Sequence, residues 1–253
     1  MISHETFNMI CWLWIAIAAV IFPVLLKVPQ PYGKHSKNNW GPMIGNKFGW
    51  FIMELPALAV FGYFLSFITG PFNMLVLTAV LLWGLHYFHR VFIFPLQIKT
   101  LGKKMPIVIA LFSILFNTIN GFLNGYWLAH FAPEGSSGSF MDLRMTTGVI
   151  LFLTGFFINK YHDWLLIRLR RSSGSGYKIP FGGLFNYVSC PNFFGELISW
   201  TGFLLVTFSL PALSFLVWST VNLTARALDH HKWYQKEFPA YPKNRKAIFP
   251  FLL

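Results

Sequence analysis

A chain of 253 residues that is 55% hydrophobic, 19% aromatic and only 11% charged is too apolar for a water-soluble domain, in which roughly a quarter of residues are charged. The net charge of +12 would suit nucleic acid in a polar chain, but here the basic residues fall between apolar runs and read as topology signals, so no nucleic-acid partner is expected. The two cysteines, Cys11 and Cys190, lie in or beside apolar runs, which excludes a disulfide framework and a cysteine-held metal cluster.

The first apolar run, Phe7 to Leu26, is followed by Lys27-Val28-Pro29 with no small-residue cleavage site, and predicts a retained helix. Further runs long enough to cross a hydrocarbon core of about 30 Å extend over Trp50 to Ile68, Asn73 to Phe94, Met105 to Phe131 and Met145 to Ile167. The last run, Phe193 to Leu228, is too long for one crossing and is broken at Ser209-Leu210-Pro211, where proline removes a helix donor; two helices with a tight turn are predicted. The expected fold is an all-α integral membrane protein, one domain over residues 1–253, with seven transmembrane helices.

Basic residues cluster in alternate loops: Lys27, Lys34, Lys37 and Lys47; Lys99, Lys103 and Lys104; Arg168, Arg170, Arg171 and Lys178; and the tail from Arg226. Only Arg144 lies opposite, and Arg90 and Lys160 fall within spans. The positive-inside rule then puts the N-terminus outside and the C-terminus in the cytoplasm. Ser172-Ser173-Gly174-Ser175-Gly176 is either a plain linker or a lid over a ligand.

Ionisable groups at membrane depth are costly unless paired or lining a cavity. Glu54 falls about 6 Å inside the second span and Tyr87 about 10 Å inside the third, from the same end. A carboxylate beside a phenol could strengthen a hydrogen bond to a substrate carbonyl; alternatively Glu54 pairs with a loop lysine or arginine and Tyr87 is an interfacial tyrosine. Asn117, Asn120 and Asn124 share one face of the fourth span. Asn159 with Asp163, and Asn192 with Glu196, repeat an i, i+4 pairing on the next two; such faces either join helices or line a polar pocket. The last helix carries Arg226, His230, Trp233 and Tyr234 on one face, with Arg245 and Lys246 beyond. With Arg170 and Arg171 they suit an anionic ligand or lipid phosphates.

His86, His89, His130, His162, His230 and His231 do not form the repeated boxes that a membrane di-iron centre needs, so no metal is expected. Gly182-Gly183 is no substitute for a dinucleotide-binding fingerprint, and any nucleotide site must be built from helices.

Several segments together resemble the steroid 5α-reductase family: Pro31-Tyr32-Gly33-Lys34-His35, Glu54-Leu55-Pro56, His86-Tyr87-Phe88-His89-Arg90, Ile179-Pro180-Phe181-Gly182-Gly183-Leu184-Phe185, Tyr187-Val188-Ser189, Asn192-Phe193, Gly195-Glu196, and Tyr241 to Ala247 with Pro250-Phe251. The resemblance implies a seven-helix enzyme that binds NADPH from the cytoplasm and reduces the double bond of a 4-ene-3-ketosteroid to the 5α-dihydrosteroid. It implies Glu54 and Tyr87 as the carbonyl-polarising pair. It implies cofactor contacts at Asn159, Asp163, Arg170, Tyr177, Asn192, Glu196, Arg226, His230, Tyr234 and Arg245, and also at Arg90 and Asn120. Asp229 before His230 and the serine- and glycine-rich 172–176 segment depart from its pattern. The expected partners are a steroid or other enone lipid and membrane lipids, the expected state a monomer, and the expected location a bacterial inner membrane or the endoplasmic reticulum membrane. Competing readings are a related enoyl or polyprenol reductase, an isoprenylcysteine-type methyltransferase using S-adenosylmethionine, and a transporter or lipid-binding scaffold.

Overall fold

A computed structural model describes residues 1–28, 40–99, 102–132, 142–172 and 176–253. The Pro31–His35 motif, the basic residues Lys34 and Lys37, and the core of the serine- and glycine-rich segment at 173–175 lie outside the described residues.

The helices are α1 (His4–Lys27), α2 (Asn46–Leu65), α3 (Met74–Phe88), α4 (Phe94–Gln97), α5 (Ile107–His130), α6 (Leu143–Ser172), α7 (Pro191–Thr207) and α8 (Leu210–Glu237). A π turn over His89–Ile93 fuses α3 and α4 into one rod, so the described helices form seven rods near the expected spans. Four are long and apolar enough to cross a membrane, namely α1, α2, the rod Met74–Gln97 and α5. The 17-residue α7 is shorter, and α6 and α8 carry charged ends.

Local chemistry sets the boundaries. Ser3 and Asn73 cap α1 and α3 by accepting the backbone N–H groups of Thr6 and Val76, as short polar side chains at this position do. The expected break after α7 is present: Phe208 adopts a left-handed φ of 45°, Ser209 caps α8 through the Ala212 N–H, and proline occupies an early helical position. Pro95 accounts for the π turn, because the missing N–H and the ring displace the regular ladder behind it.

The expected fourth span begins two residues early on paper. Met105 belongs instead to β2 (Lys104–Pro106), which pairs antiparallel with β1 (Met43–Gly45). The ribbon is extended by Asn46 N–H to the Lys103 carbonyl at 3.1 Å and Ile107 N–H to the Pro42 carbonyl at 2.9 Å, tying the starts of α2 and α5 together at one end of the bundle.

The tightest packing is between α6 and α7, where Gly148 and Gly155 face Gly195 and Gly202. A Cβ on Gly195 would stand 2.6 Å from the Asn159 nitrogen and 2.7 Å from the Gly155 carbonyl, both backbone atoms. Small residues of this kind let membrane helices approach closely. Gly195→Ala is therefore expected to wedge α6 from α7, destabilise the protein by about 1–3 kcal/mol as overpacking does, and lower its melting temperature in detergent. Gly62→Ala, with open space at its Cβ position, should leave that temperature unchanged.

Candidate active site

The α6–α7 contact brings together the two polar pairs expected from sequence. The Asn192 side-chain amide donates to Asp163 Oδ1 at 2.9 Å, and the Asn159 amide donates to the Asn192 carbonyl at 2.8 Å and to Glu196 Oε2 at 3.3 Å. Each pair is thus half of one interhelical network, and its carboxylates are held by amide donors inside the bundle.

This network forms one wall of a cavity of about 190 Å³ at the end of the bundle where α2, α5 and α7 begin and α6 and α8 end. Its lining includes Arg90, Asp163, Arg170, Tyr177, Asn192, Glu196, Arg226, His230 and Tyr234, all expected from sequence, together with Asn46, Trp50, Phe94, Ser189, Phe193 and Asp229. The Arg226 guanidinium lies 4.7 Å from the Phe193 ring centre and that of Arg170 5.6 Å from the Tyr177 ring centre. Lys103 Nζ donates to the Tyr177 hydroxyl at 3.0 Å. Burial raises the Tyr234 phenol above its ordinary range.

A second cavity of about 110 Å³ lies deeper and shares Trp50, Arg90, Glu196 and Arg226 with the first. It is lined by Glu54, His86, Tyr87, Asn117, Ser113, Phe116, Phe215, Ser219 and Asn222 among others. Pro56 interrupts the α2 backbone ladder next to Glu54. Neighbouring helices supply donors there: Asn117 Nδ2 to the Met53 carbonyl at 2.6 Å and Trp83 Nε1 to the Ala57 carbonyl at 3.0 Å. Trp83 and Trp200 then hold the buried Tyr87 ring at centroid distances of 4.8 and 5.9 Å.

Glu54 is ion-paired. Its Oε1 accepts from Arg90 Nη2 at 2.8 Å, and its Oε2 lies 3.5 Å from the Asn117 amide. Arg90 comes from the π turn, and its guanidinium also lies 4.9 Å from the Trp50 ring centre. Glu54 and Tyr87 line the same chamber, while the arginine expected at the cofactor clamps the carboxylate.

Three expected site residues lie off both linings. Asn159 sits behind Asn192 and Glu196. Asn120 accepts from Trp14 Nε1 at 3.3 Å and donates to the Phe116 carbonyl at 2.7 Å, and Asn124 donates to the Asn120 carbonyl at 3.0 Å; of the asparagine face, Asn117 alone lines either of these two cavities. Arg245 donates to the Pro180 carbonyl at 3.0 Å and lies over the Phe181 and Tyr241 rings, holding the segment that follows Tyr177. The C-terminal tail is secured beside it by a parallel bridge between Val188 and Lys246 and by Ser189 Oγ, which contacts His231 Nδ1 and the Tyr241 hydroxyl at 2.6 Å each. Burial and the nearby Lys246 hold the His231 imidazole below its ordinary value of 6.5.

Sequence reasoning missed Trp50, Phe94, Ser113, Ser219 and Asn222, which are ordinary residues of apolar helices. His86 drew notice as a possible metal ligand and as part of the His86–Arg90 segment, with no site role assigned to it, and no group of three or more side chains placed to hold a metal ion occurs among the described residues.

A multi-pass helical membrane protein with two adjoining polar chambers inside the bundle is the class that these features define. A family model described as 3-oxo-5-alpha-steroid 4-dehydrogenase matches residues 103–253. The chain is 38% identical to the protein named Steroid 5-alpha-reductase DET2 of Arabidopsis thaliana, covering 99% of this chain and 98% of that one. It is 41% identical to 3-oxo-5-alpha-steroid 4-dehydrogenase 2 of Homo sapiens over 88% of each, and 35% identical to 3-oxo-5-alpha-steroid 4-dehydrogenase 1 of Homo sapiens over 96% and 94%. The chain belongs to the steroid 5α-reductase family, a family of oxidoreductases.

Proposed function

We propose that the protein is an NADPH-dependent reductase of the 4,5 double bond of 3-oxo-4-ene steroids of the testosterone and progesterone type, giving 5α-dihydrosteroids. The observation that carries this reading is the adjacency of two unlike chambers. One is lined by Arg170, Arg226, Asn192, Asp163 and aromatic rings; the other holds Glu54 and the buried Tyr87; Trp50, Arg90, Glu196 and Arg226 belong to both.

The residues fit a phosphorylated dinucleotide. Arg170 and Arg226 match phosphate oxygens, for which guanidinium groups form paired hydrogen bonds. Asn192, Asp163 and Glu196 form a ready hydrogen-bonding set for an amide and sugar hydroxyls, and Trp50, Phe94, Tyr177 and Tyr234 offer apolar faces. NADPH, when bound, supplies a hydride.

This chain's own residues act on the steroid. Tyr87 donates its hydroxyl proton in a hydrogen bond to the ketone oxygen, where negative charge accumulates during reduction. Glu54, clamped by Arg90, fixes the polarity around that phenol. The apolar wall of Phe116 and Phe215 excludes water from the reacting carbons. The same reading includes seven spans in one domain, with the loops and C-terminal tail capping the cofactor. The N-terminus lies outside and the C-terminus in the cytoplasm, and the protein is a monomer in a bacterial inner membrane or the endoplasmic reticulum membrane. Supporting the orientation, the first cavity lies at the same end of the bundle as the described Lys47, Lys103, Arg170 and Arg245.

Arg170→Ala tests the cofactor assignment. It is expected to weaken NADPH binding tenfold or more, measured by fluorescence titration in detergent, with a smaller effect on turnover at saturation. Unchanged affinity would count against the phosphate role.

A further inference from the structure

The deeper chamber holds two hydroxyl groups for which reduction of an enone has no use. Hydroxyls inside these helices commonly satisfy themselves on their own helix: Thr78, Thr201, Thr207 and Thr220 each donate to the carbonyl four residues earlier, the local bond open to serine and threonine in a helix. Ser113 on α5 and Ser219 on α8 make no such bond. Neither hydroxyl has a hydrogen-bond partner among the described residues, although Ser219 is only 7% exposed and both side chains line the chamber.

The two serines stand level with each other across the chamber. α5 runs away from the cofactor end of the bundle and α8 runs toward it, and the two helices meet where the Phe116 ring lies 6.1 Å from that of Phe215 and 5.6 Å from that of Trp218. Ser113 precedes Phe116 by three residues and Ser219 follows Phe215 by four, so each lies about 4.5–6 Å from that contact toward the cofactor end. Asn117, one turn beyond Ser113, donates to the Met53 carbonyl at 2.6 Å and reaches within 3.5 Å of Glu54 Oε2. The serine pair is therefore about 6 Å along the bundle from the level of Glu54.

A hydroxyl shut into an apolar enclosure without a partner is costly. A plain hydrocarbon skeleton lying against Phe116 and Phe215 strips both serines of water and gives nothing in return. A skeleton with an oxygen at their level satisfies them: a ketone accepts from both, and a hydroxyl accepts from one and donates to the other. Resting on the reductase reading, we propose that the substrate is an enone steroid carrying a second oxygen, a hydroxyl or a ketone, on its fused rings, and that Ser113 and Ser219 select it by holding that oxygen between them. Both serines line the deeper chamber and neither lines the cofactor cavity, so the oxygen they hold is the substrate's. Their closeness to the level of Glu54 places it on the ring skeleton rather than at the end of a side chain. Ser113 and Ser219 are specificity residues, taking no part in hydride transfer.

The test is a ratio of kcat/KM values, progesterone against monohydroxylated progesterones with the hydroxyl at successive carbons of the rings, measured in wild type and in the double variant Ser113→Ala with Ser219→Ala, alongside NADPH affinity. Wild type is expected to favour one or more of the hydroxylated compounds by about tenfold, the ordinary worth of a hydrogen bond, and the double variant to lose that preference with NADPH affinity retained. If the double variant fails to fold, the single variants decide, each expected to lose part of the preference. A preference unchanged by the substitutions, or a wild-type protein that reduces progesterone and favours no hydroxylated compound, overturns the proposal and leaves the reductase reading intact. Weakened NADPH binding in the double variant gives the two hydroxyls to the cofactor and also overturns the proposal. A wild-type protein that reduces no enone overturns the reading itself.

Discussion

Tyr87→Phe is expected to lower steroid turnover by a hundredfold or more while NADPH still binds with its wild-type affinity. The substitution removes one oxygen from a ring whose position is fixed by Trp83 and Trp200, so packing is preserved and only the donor is lost. Losing one donor to a developing oxyanion costs about 3–4 kcal/mol of transition-state stabilisation, which at about 1.4 kcal/mol per factor of ten is roughly two to three orders of magnitude. The measurement is kcat and KM for an enone steroid alongside NADPH affinity. Turnover within tenfold of wild type would remove Tyr87 from the mechanism. A parallel loss of NADPH binding would instead assign it a structural role.

Glu54 gives the second large effect, and here stability and chemistry separate. The Glu54–Arg90 pair is nearly enclosed, with side-chain exposures of 8% and 13%. Removing one member of a buried ion pair strands the other and costs about 3–5 kcal/mol, whereas replacing both with apolar residues is often close to neutral. Glu54→Ala is therefore expected to lose both thermal stability and turnover. The double substitution Glu54→Leu with Arg90→Leu should recover much of the stability and none of the turnover. Recovery of activity in the double variant would show that the pair serves the fold alone. Equal stability in Glu54→Ala and wild type would show that the ion pair contributes little.

The helices were legible because their apolar runs are long and their interruptions carry chemistry: Pro211 and Ser209 mark the α7–α8 turn, and Asn73 marks the start of α3. The interlocking of Asn159 and Asp163 with Asn192 and Glu196 was half legible. The i, i+4 spacing identifies each face, but the meeting of the two faces depends on the glycines that bring α6 and α7 together. Glu54 and Tyr87 stood out by depth and do line one chamber. The partner of Glu54 did not stand out, because a π turn driven by Pro95 carries Arg90 to it, and no helical periodicity anticipates a π turn. Asn120 shows the converse: it shares a helical face with Asn117, yet Trp14 of the distant α1 takes its carbonyl. The β1–β2 ribbon is too short for any alternation to register.

The most direct measurement is NADPH oxidation by the purified protein in detergent with progesterone or testosterone, the product identified by mass spectrometry and by comparison with the 5α-dihydrosteroid. The account predicts a product heavier by two hydrogens, formed with NADPH and lost in Glu54→Gln. NADPH binding with no steroid reduced would contradict the substrate assignment and direct attention to other enone lipids, and no NADPH binding at all would contradict the account at its centre.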